Sequence, residues 1–171
     1  MEHVILVDSS DNELGTMEKL EAHKRGVLHR AFSILIFNSG GELLLQKRSG
    51  KKYHSAGLWT NTCCSHPRPG ETMKEATRRK LGQEMGFDTD LQFAYKFTYK
   101  ASLENALIEH ELDHVYIGQF DGIPQINPDE VDAWRFISIE ALNAEILAAP
   151  QNFTYWFKLI MSEMPLPARE R

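Results

Sequence analysis

Gly70-Glu71-Thr72-Met73-Lys74-Glu75-Ala76-Thr77-Arg78-Arg79-Lys80-Leu81-Gly82-Gln83-Glu84-Met85-Gly86 is the stretch on which the fold turns. Thr72 stands three residues before Glu75, the spacing at which a hydroxyl and a carboxylate each satisfy the other residue's backbone N–H at a helix start. Gly86 ends the pattern, because glycine most readily takes the left-handed conformation that stops a helix. The stretch therefore predicts a helix over Thr72–Met85. Pro67 and Pro69 close the extended segment before it.

Outward from that helix the chain reads mostly as strands, at 3–8, 29–38, 42–47, 92–100, 108–120 and 132–138. Ser39-Gly40-Gly41 is a turn between two of them. Two further helices are predicted over Ile139–Ala148 and Phe153–Met164, separated by Pro150, with their apolar faces in the core. Many strands with the main helix in mid-chain give an α/β sandwich around a mixed sheet. A length of 171 residues suits one domain, 1–171.

A net charge of −5 argues against nucleic acid as a partner, since phosphate-backbone binding needs a basic face. A small anion needs only a local basic cluster. No segment has the roughly 20 apolar residues of a membrane span, and the N-terminus lacks the cationic-then-apolar pattern of a signal peptide. Two adjacent cysteines are a poor disulfide pair and suggest a reducing compartment. A cytoplasmic location is the expectation.

Two short segments carry chemistry: Trp59-Thr60-Asn61-Thr62-Cys63-Cys64-Ser65-His66 and Leu107-Ile108-Glu109-His110-Glu111. Alternate side chains of a strand share a face. Cys64 and His66 then point one way, and so do Glu109 and Glu111. With His23 and His29, which flank the loop entering the strand at 29–38, they offer three imidazoles and two carboxylates. That mix suits Mn, Zn or Fe better than an all-oxygen Mg or Ca site. Parity turns His110 and His114 away, and His3 and His54 have no evident partner. The bland alternative, a buried thiol with solvated glutamates, loses ground because both segments occur together.

Residues 70–86 resemble the Nudix box, a loop-helix-loop whose glutamates hold Mg against a diphosphate. Glu71 and Arg79 match, whereas Ser65, Lys80 and Gln83 replace the opening Gly and two glutamates, leaving Glu84. The resemblance then implies a Nudix-like α/β/α sandwich that is a poor hydrolase. Leu28-His29-Arg30-Ala31-Phe32-Ser33, Leu58 to Thr62, Cys64-Ser65-His66-Pro67, Ile108 to Glu111 and Tyr155-Trp156, in this order, closely resemble the type I isopentenyl-diphosphate isomerases.

That resemblance implies a set of roles. Cys64 and Glu111 are catalytic, with Tyr99 as a relay. His23, His29, His66, Glu109 and Glu111 hold one divalent ion, Mn2+, Zn2+ or Mg2+. Glu84, joined by the Cys64 carbonyl, holds a Mg2+ that bridges to the substrate diphosphate. Lys19, Arg48 and Lys52 grip that diphosphate. Lys80, where some members have Arg, offers it a point charge. Trp156 turns its π face to a carbocation. The implied reaction adds a proton to a terminal alkene carbon from Glu111 and removes another, nearer the diphosphate, to a Cys64 thiolate. The substrate is then a small prenyl diphosphate, and a monomer is the expected assembly. The rivals are a Nudix hydrolase and a non-catalytic metal or prenyl-diphosphate binder.

Overall fold

The computed structural model describes residues 1–164; the last seven residues of the single domain expected over 1–171 lie outside that range. The central strand is β3 (His29–Phe37), the apolar run Ala-Phe-Ser-Ile-Leu-Ile-Phe. A strand this apolar needs both faces covered. It runs parallel to β8 (Ile108–Gln119), pairing His29 with Glu111 and continuing to Phe37 with Gln119. Antiparallel to it are β1 (His3–Val7), β4 (Leu43–Arg48) and the short β6 (Cys63–Ser65), which sets Cys64 opposite Ser33. β2 (Glu13–Glu18), β5 (Trp59–Thr60), β7 (Leu91–Ser102) and β9 (Val131–Ile137) complete a mixed nine-stranded sheet.

Alternation along the strands divides the core. Phe32, Ile34, Ile36 and Leu44 face α2 (Met73–Met85), which buries Ala76, Leu81 and Met85 against them. Leu35, Leu43, Leu45 and Val115 face the other way, toward Leu142 of α3 (Ile139–Ala148) and Trp156, Phe157 and Ile160 of α4 (Tyr155–Glu163). The result is the expected α/β/α sandwich. Both halves of the predicted capping box form: Thr72 Oγ1 accepts from the Glu75 N–H at 3.2 Å, and Glu75 Oε2 accepts from the Thr72 N–H at 2.8 Å. Gly86 has φ 73°, and a Cβ there would lie 2.4 Å from the Gln125 carbonyl oxygen.

Three local expectations are corrected. The exposed edge strand β2 and the helix α1 (Lys19–Arg25) are absent from the sequence reading; His23 stands in the last turn of α1 and His29 opens β3, on either side of the loop 26–28. α1 is capped by the Glu18 carboxylate, which accepts from the N–H groups of Leu20 and Glu21. Residues 150–152 form a 3-10 turn, so the final helix begins at Tyr155, not Phe153. No helix among the described residues is long and apolar enough to cross a membrane.

Candidate active site

Three imidazoles converge where α1, the start of β3 and the end of β6 meet the first residues of β8. His23 Nδ1 donates to the Lys19 carbonyl at 2.7 Å, and His29 Nδ1 donates to the Val27 carbonyl at 2.9 Å. Each bond puts the ring proton on Nδ1 and leaves the Nε2 lone pair bare, the usual way a metal-binding histidine is oriented. The bare Nε2 of His29 lies 3.2 Å from His66 Nε2 and 3.4 Å from Glu111 Oε1. His66 Nε2 is 2.9 Å from the same Glu111 oxygen, and His23 Nε2 is 3.2 Å from Glu109 Oε1. Acceptors that face one another this closely are reconciled by a cation among them. Such separations are the edges of a coordination shell with bonds of about 2.1 Å. One donor atom each of His23, His29, His66 and Glu111 forms a compact set that could hold a divalent ion, whereas Glu109 groups with His23 and His54.

Electrostatics separates the two glutamates. Burial raises the Glu109 carboxyl, and the neighbouring Glu111 charge raises it further. Burial also pushes Glu111 upward, but a hydrogen bond with Glu109 and positive charge among the imidazoles, carried by protonated rings where no cation is bound, outweigh it and hold the group at about 2. Glu111 is therefore the ionised member of the pair. Tyr99 O–H donates to Glu111 Oε2 at 3.0 Å and lies 3.4 Å from Glu109 Oε2, so both carboxylates meet one phenol. His110 and His114 do turn away, to the Gly26 carbonyl and to Asp11. His54, left without a partner in the sequence, is corrected: its Nε2 is 3.2 Å from Glu109 Oε1.

Tyr99, Glu109 and Glu111 line a cavity of about 250 Å³ together with Cys64, His66 and Trp156. His23 and His29 are fully buried behind it. Cys64 packs on the α3–α4 side of the sheet and Cys63 on the α2 side, as parity requires. The expected thiolate is not the resting form. Burial drives the Cys64 thiol up to about 12, and the carboxylates of Glu84, Glu111 and Asp113 add to the rise against the opposing Arg48 charge. Asp113 was missed, although the Glu-x-Glu parity continues to it. It is fully buried, accepts from Ser33 Oγ at 2.7 Å, and burial lifts its carboxyl well above the usual range.

The predicted basic residues line the same cavity. Lys80 Nζ is 3.5 Å and Lys52 Nζ 3.9 Å from Glu84 Oε1, and Lys19 lines the rim, paired with Glu2 at 2.9 Å. Lys52 also pairs with Glu130, a rim carboxylate that gave no sequence signal. Arg48 is more than a surface charge: it is 8% exposed, its guanidinium lies 5.2 Å from the Trp156 ring centre, and it donates to the His54 carbonyl at 3.2 Å. The other Glu84 oxygen, Oε2, accepts from Cys63 Sγ and Gln46 Nε2, each at 3.1 Å. Neutral donors hold one oxygen, which leaves the other to Lys80 and Lys52. The Nudix-like pair Arg79–Glu71 forms at 2.7 and 2.9 Å, and Arg79 also donates to the His66 carbonyl at 3.3 Å.

The site strand β6 is held by buried polar side chains. Asn61 Nδ2 donates to the carbonyls of Ile34 and Cys63, Thr62 Oγ1 donates to the Leu44 carbonyl, and Thr60 Oγ1 meets Thr154 Oγ1 at 2.8 Å. Short, irregular β5 and β6 leave backbone groups unpaired in the core, and these side chains satisfy them.

The NUDIX domain family matches residues 27–157. Over 170 residues the chain is 51% identical to an isopentenyl-diphosphate Delta-isomerase of Serratia proteamaculans, covering 99% of this chain and 95% of that protein. Isopentenyl-diphosphate Delta-isomerase 2 of Photorhabdus laumondii is 52% identical over 94% of this chain and 91% of its own length. In fold, the chain is similar to a protein of Deinococcus radiodurans, with a TM-score of 0.77 at 20% identity, over 94% of this chain and 98% of that one. A cluster of imidazoles and carboxylates that could hold a metal, a thiol and a degraded Nudix box thus occur together in a chain half-identical to these isomerases: it belongs to the NUDIX domain family and, within it, to the isopentenyl-diphosphate Delta-isomerases.

Proposed function

We propose that this protein interconverts isopentenyl diphosphate and dimethylallyl diphosphate by moving a proton on and off the carbon skeleton, as a cytoplasmic step in isoprenoid synthesis. The observation that carries the reading is a single cavity lined by a phenol–carboxylate pair, a thiol and four basic side chains. Lys80, Arg48, Lys52 and Lys19 bind the diphosphate and so fix the alkene beside Cys64 and Tyr99. Glu111, ionised at rest, first takes the Cys64 thiol proton and then passes a proton through Tyr99 to the terminal alkene carbon. The positive charge then sits on the tertiary carbon, next to the indole of Trp156. Contact with a desolvated aromatic face stabilises a cation by about 2 kcal/mol, roughly a thirtyfold rate effect.

Cys64 takes the proton from the carbon nearer the diphosphate, and the double bond re-forms there. One proton enters and one leaves, so the substrate's composition is unchanged. The resting thiol proton has already passed to Glu111, and Arg48 is the neighbour that favours the thiolate so formed. His23, His29, His66, Glu109 and Glu111 would hold a divalent ion, Mn2+, Zn2+ or Mg2+, that would polarise Glu111, and Glu84 would hold a Mg2+ that would neutralise the diphosphate. Burial of Trp156 and Tyr99 keeps water from the cation. Lys80 and Gln83 stand where Nudix hydrolases need carboxylates, which disfavours water activation.

The test is incubation with isopentenyl diphosphate, Mg2+ and Mn2+ in heavy water, followed by NMR. Deuterium in the methyl group of an allylic product supports the isomerase. Phosphate release without isomerisation supports a hydrolase, and tight binding without turnover supports a binding module.

A further inference from the structure

One imidazole at the cage has no role so far. His54 lies in the segment between β4 and β5, is 6% exposed, and stacks on His23 with ring centres 5.7 Å apart. Its edge meets Trp156 at 5.9 Å. The backbone aims it: Arg48 donates to its carbonyl, and the next residue, Ser55, takes the left-handed φ of 52° with its N–H bound to the Glu104 carboxylate.

The tautomer differs from that of the cage histidines. His23 and His29 place their Nδ1 protons on carbonyls, which can only accept. His54 Nδ1 instead faces a hydroxyl, Ser55 Oγ, at 3.2 Å, and a hydroxyl can donate. The His54 ring proton is then free to sit on Nε2, pointing at Glu109 Oε1 3.2 Å away. The same oxygen lies 3.2 Å from the bare Nε2 of His23. The nearest side-chain N and O atoms of His23, His54 and Glu109 form a compact set, and those of His23, His29, His66 and Glu111 form a second. Glu109 thus depends on a neighbour outside the cage for its place beside it.

We infer that His54 is a positioning residue that donates an N–H to Glu109 and holds that carboxylate at the divalent-ion cage. The inference rests on the cage itself binding an ion. Donors behind a ligating carboxylate typically set metal affinity by 10–100-fold. The test uses purified full-length protein and competition with a chelating dye for Mn2+ and Zn2+. His54→Phe keeps the ring contacts with His23 and Trp156 but has no N–H. His54→Gln places an amide N–H near the position of Nε2.

His54→Phe is expected to bind each ion 10–100-fold more weakly, and His54→Gln to recover most of that loss. Melting curves of the metal-free proteins should coincide, and the Co2+ absorption spectrum of His54→Gln should match the parent, because His54 is not itself a ligand. Parent-like affinity in His54→Phe, or equal loss in both variants, overturns the inference and leaves the cage intact. A parent protein that binds neither ion overturns the cage and this inference together.

Discussion

At the residue scale the two glutamates of β8 divide the work. With metal saturating, Glu109→Gln should regain part of its activity, because an amide oxygen can still coordinate. Glu111→Gln should not, because an amide cannot carry the proton onward to Tyr99. General acid–base catalysis is worth about 10²–10⁴-fold, so kcat of Glu111→Gln should stay lower by at least the upper part of that range. Equal recovery of the two, with bound metal quantified, would remove Glu111 from proton delivery. The cysteines divide in the same way. Cys64→Ala should abolish isomerisation with the fold intact. Cys63→Ala should retain the chemistry but require several-fold more Mg2+, since Cys63 holds the inner oxygen of Glu84. Cys63→Ser, which keeps a donor, should restore the Mg2+ dependence. A Mg2+ titration unchanged by Cys63→Ala would show that Gln46 suffices.

At the scale of elements, the loop before α2 and the helix itself are joined by the Glu71–Arg79 pair, whose side chains are 15% and 14% exposed. Hydrogen bonds to charged groups contribute roughly 1.5–3 kcal/mol, so Glu71→Gln should lower stability by about 2 kcal/mol in urea unfolding at neutral pH. The bond from Arg79 holds the Glu71 carboxyl below its ordinary range, against the effect of burial. A depressed carboxyl stabilises the fold above its unfolded-state pKa, and the contribution is lost as pH falls through the folded value. The gap between parent and Glu71→Gln should therefore close in acid, below the ordinary glutamate range. A gap that persists there would point to packing. Arg79 also donates to the His66 carbonyl, so the same variant should weaken metal binding modestly.

At the scale of the whole molecule, the cage ties α1, β3, β6 and β8 together through donor atoms that the unfolded chain scatters. An ion that binds only the folded state stabilises by about 2.7 kcal/mol at one hundred times its Kd. For a chain of this size that is about 5–10 °C in melting temperature. Saturating Mn2+ or Zn2+ should raise the Tm by that amount, and chelation should reverse it and abolish isomerisation. A melting curve indifferent to both would mean that no ion bridges these elements.

What the sequence determined by itself was short-range. The Thr72–Glu75 capping box and Gly86 specify α2 within one window, and strand parity places Cys64 with His66 and Glu109 with Glu111. The family likeness reached the site residues because it rests on local motifs kept in order. α1 was silent, since its seven residues bury only Ala22 and His23 and its cap is a glutamate, not one of the usual N-cap residues. The tertiary structure alone decided the placements that depend on distant chain segments: His54 on Glu109, Cys63 on Glu84, and Arg48 under Trp156. It also decided the protonation of Cys64 and Asp113. The chain names a thiol and a carboxyl, but how far they are desolvated, and beside which charges, is settled only when the sheet and α4 close over them.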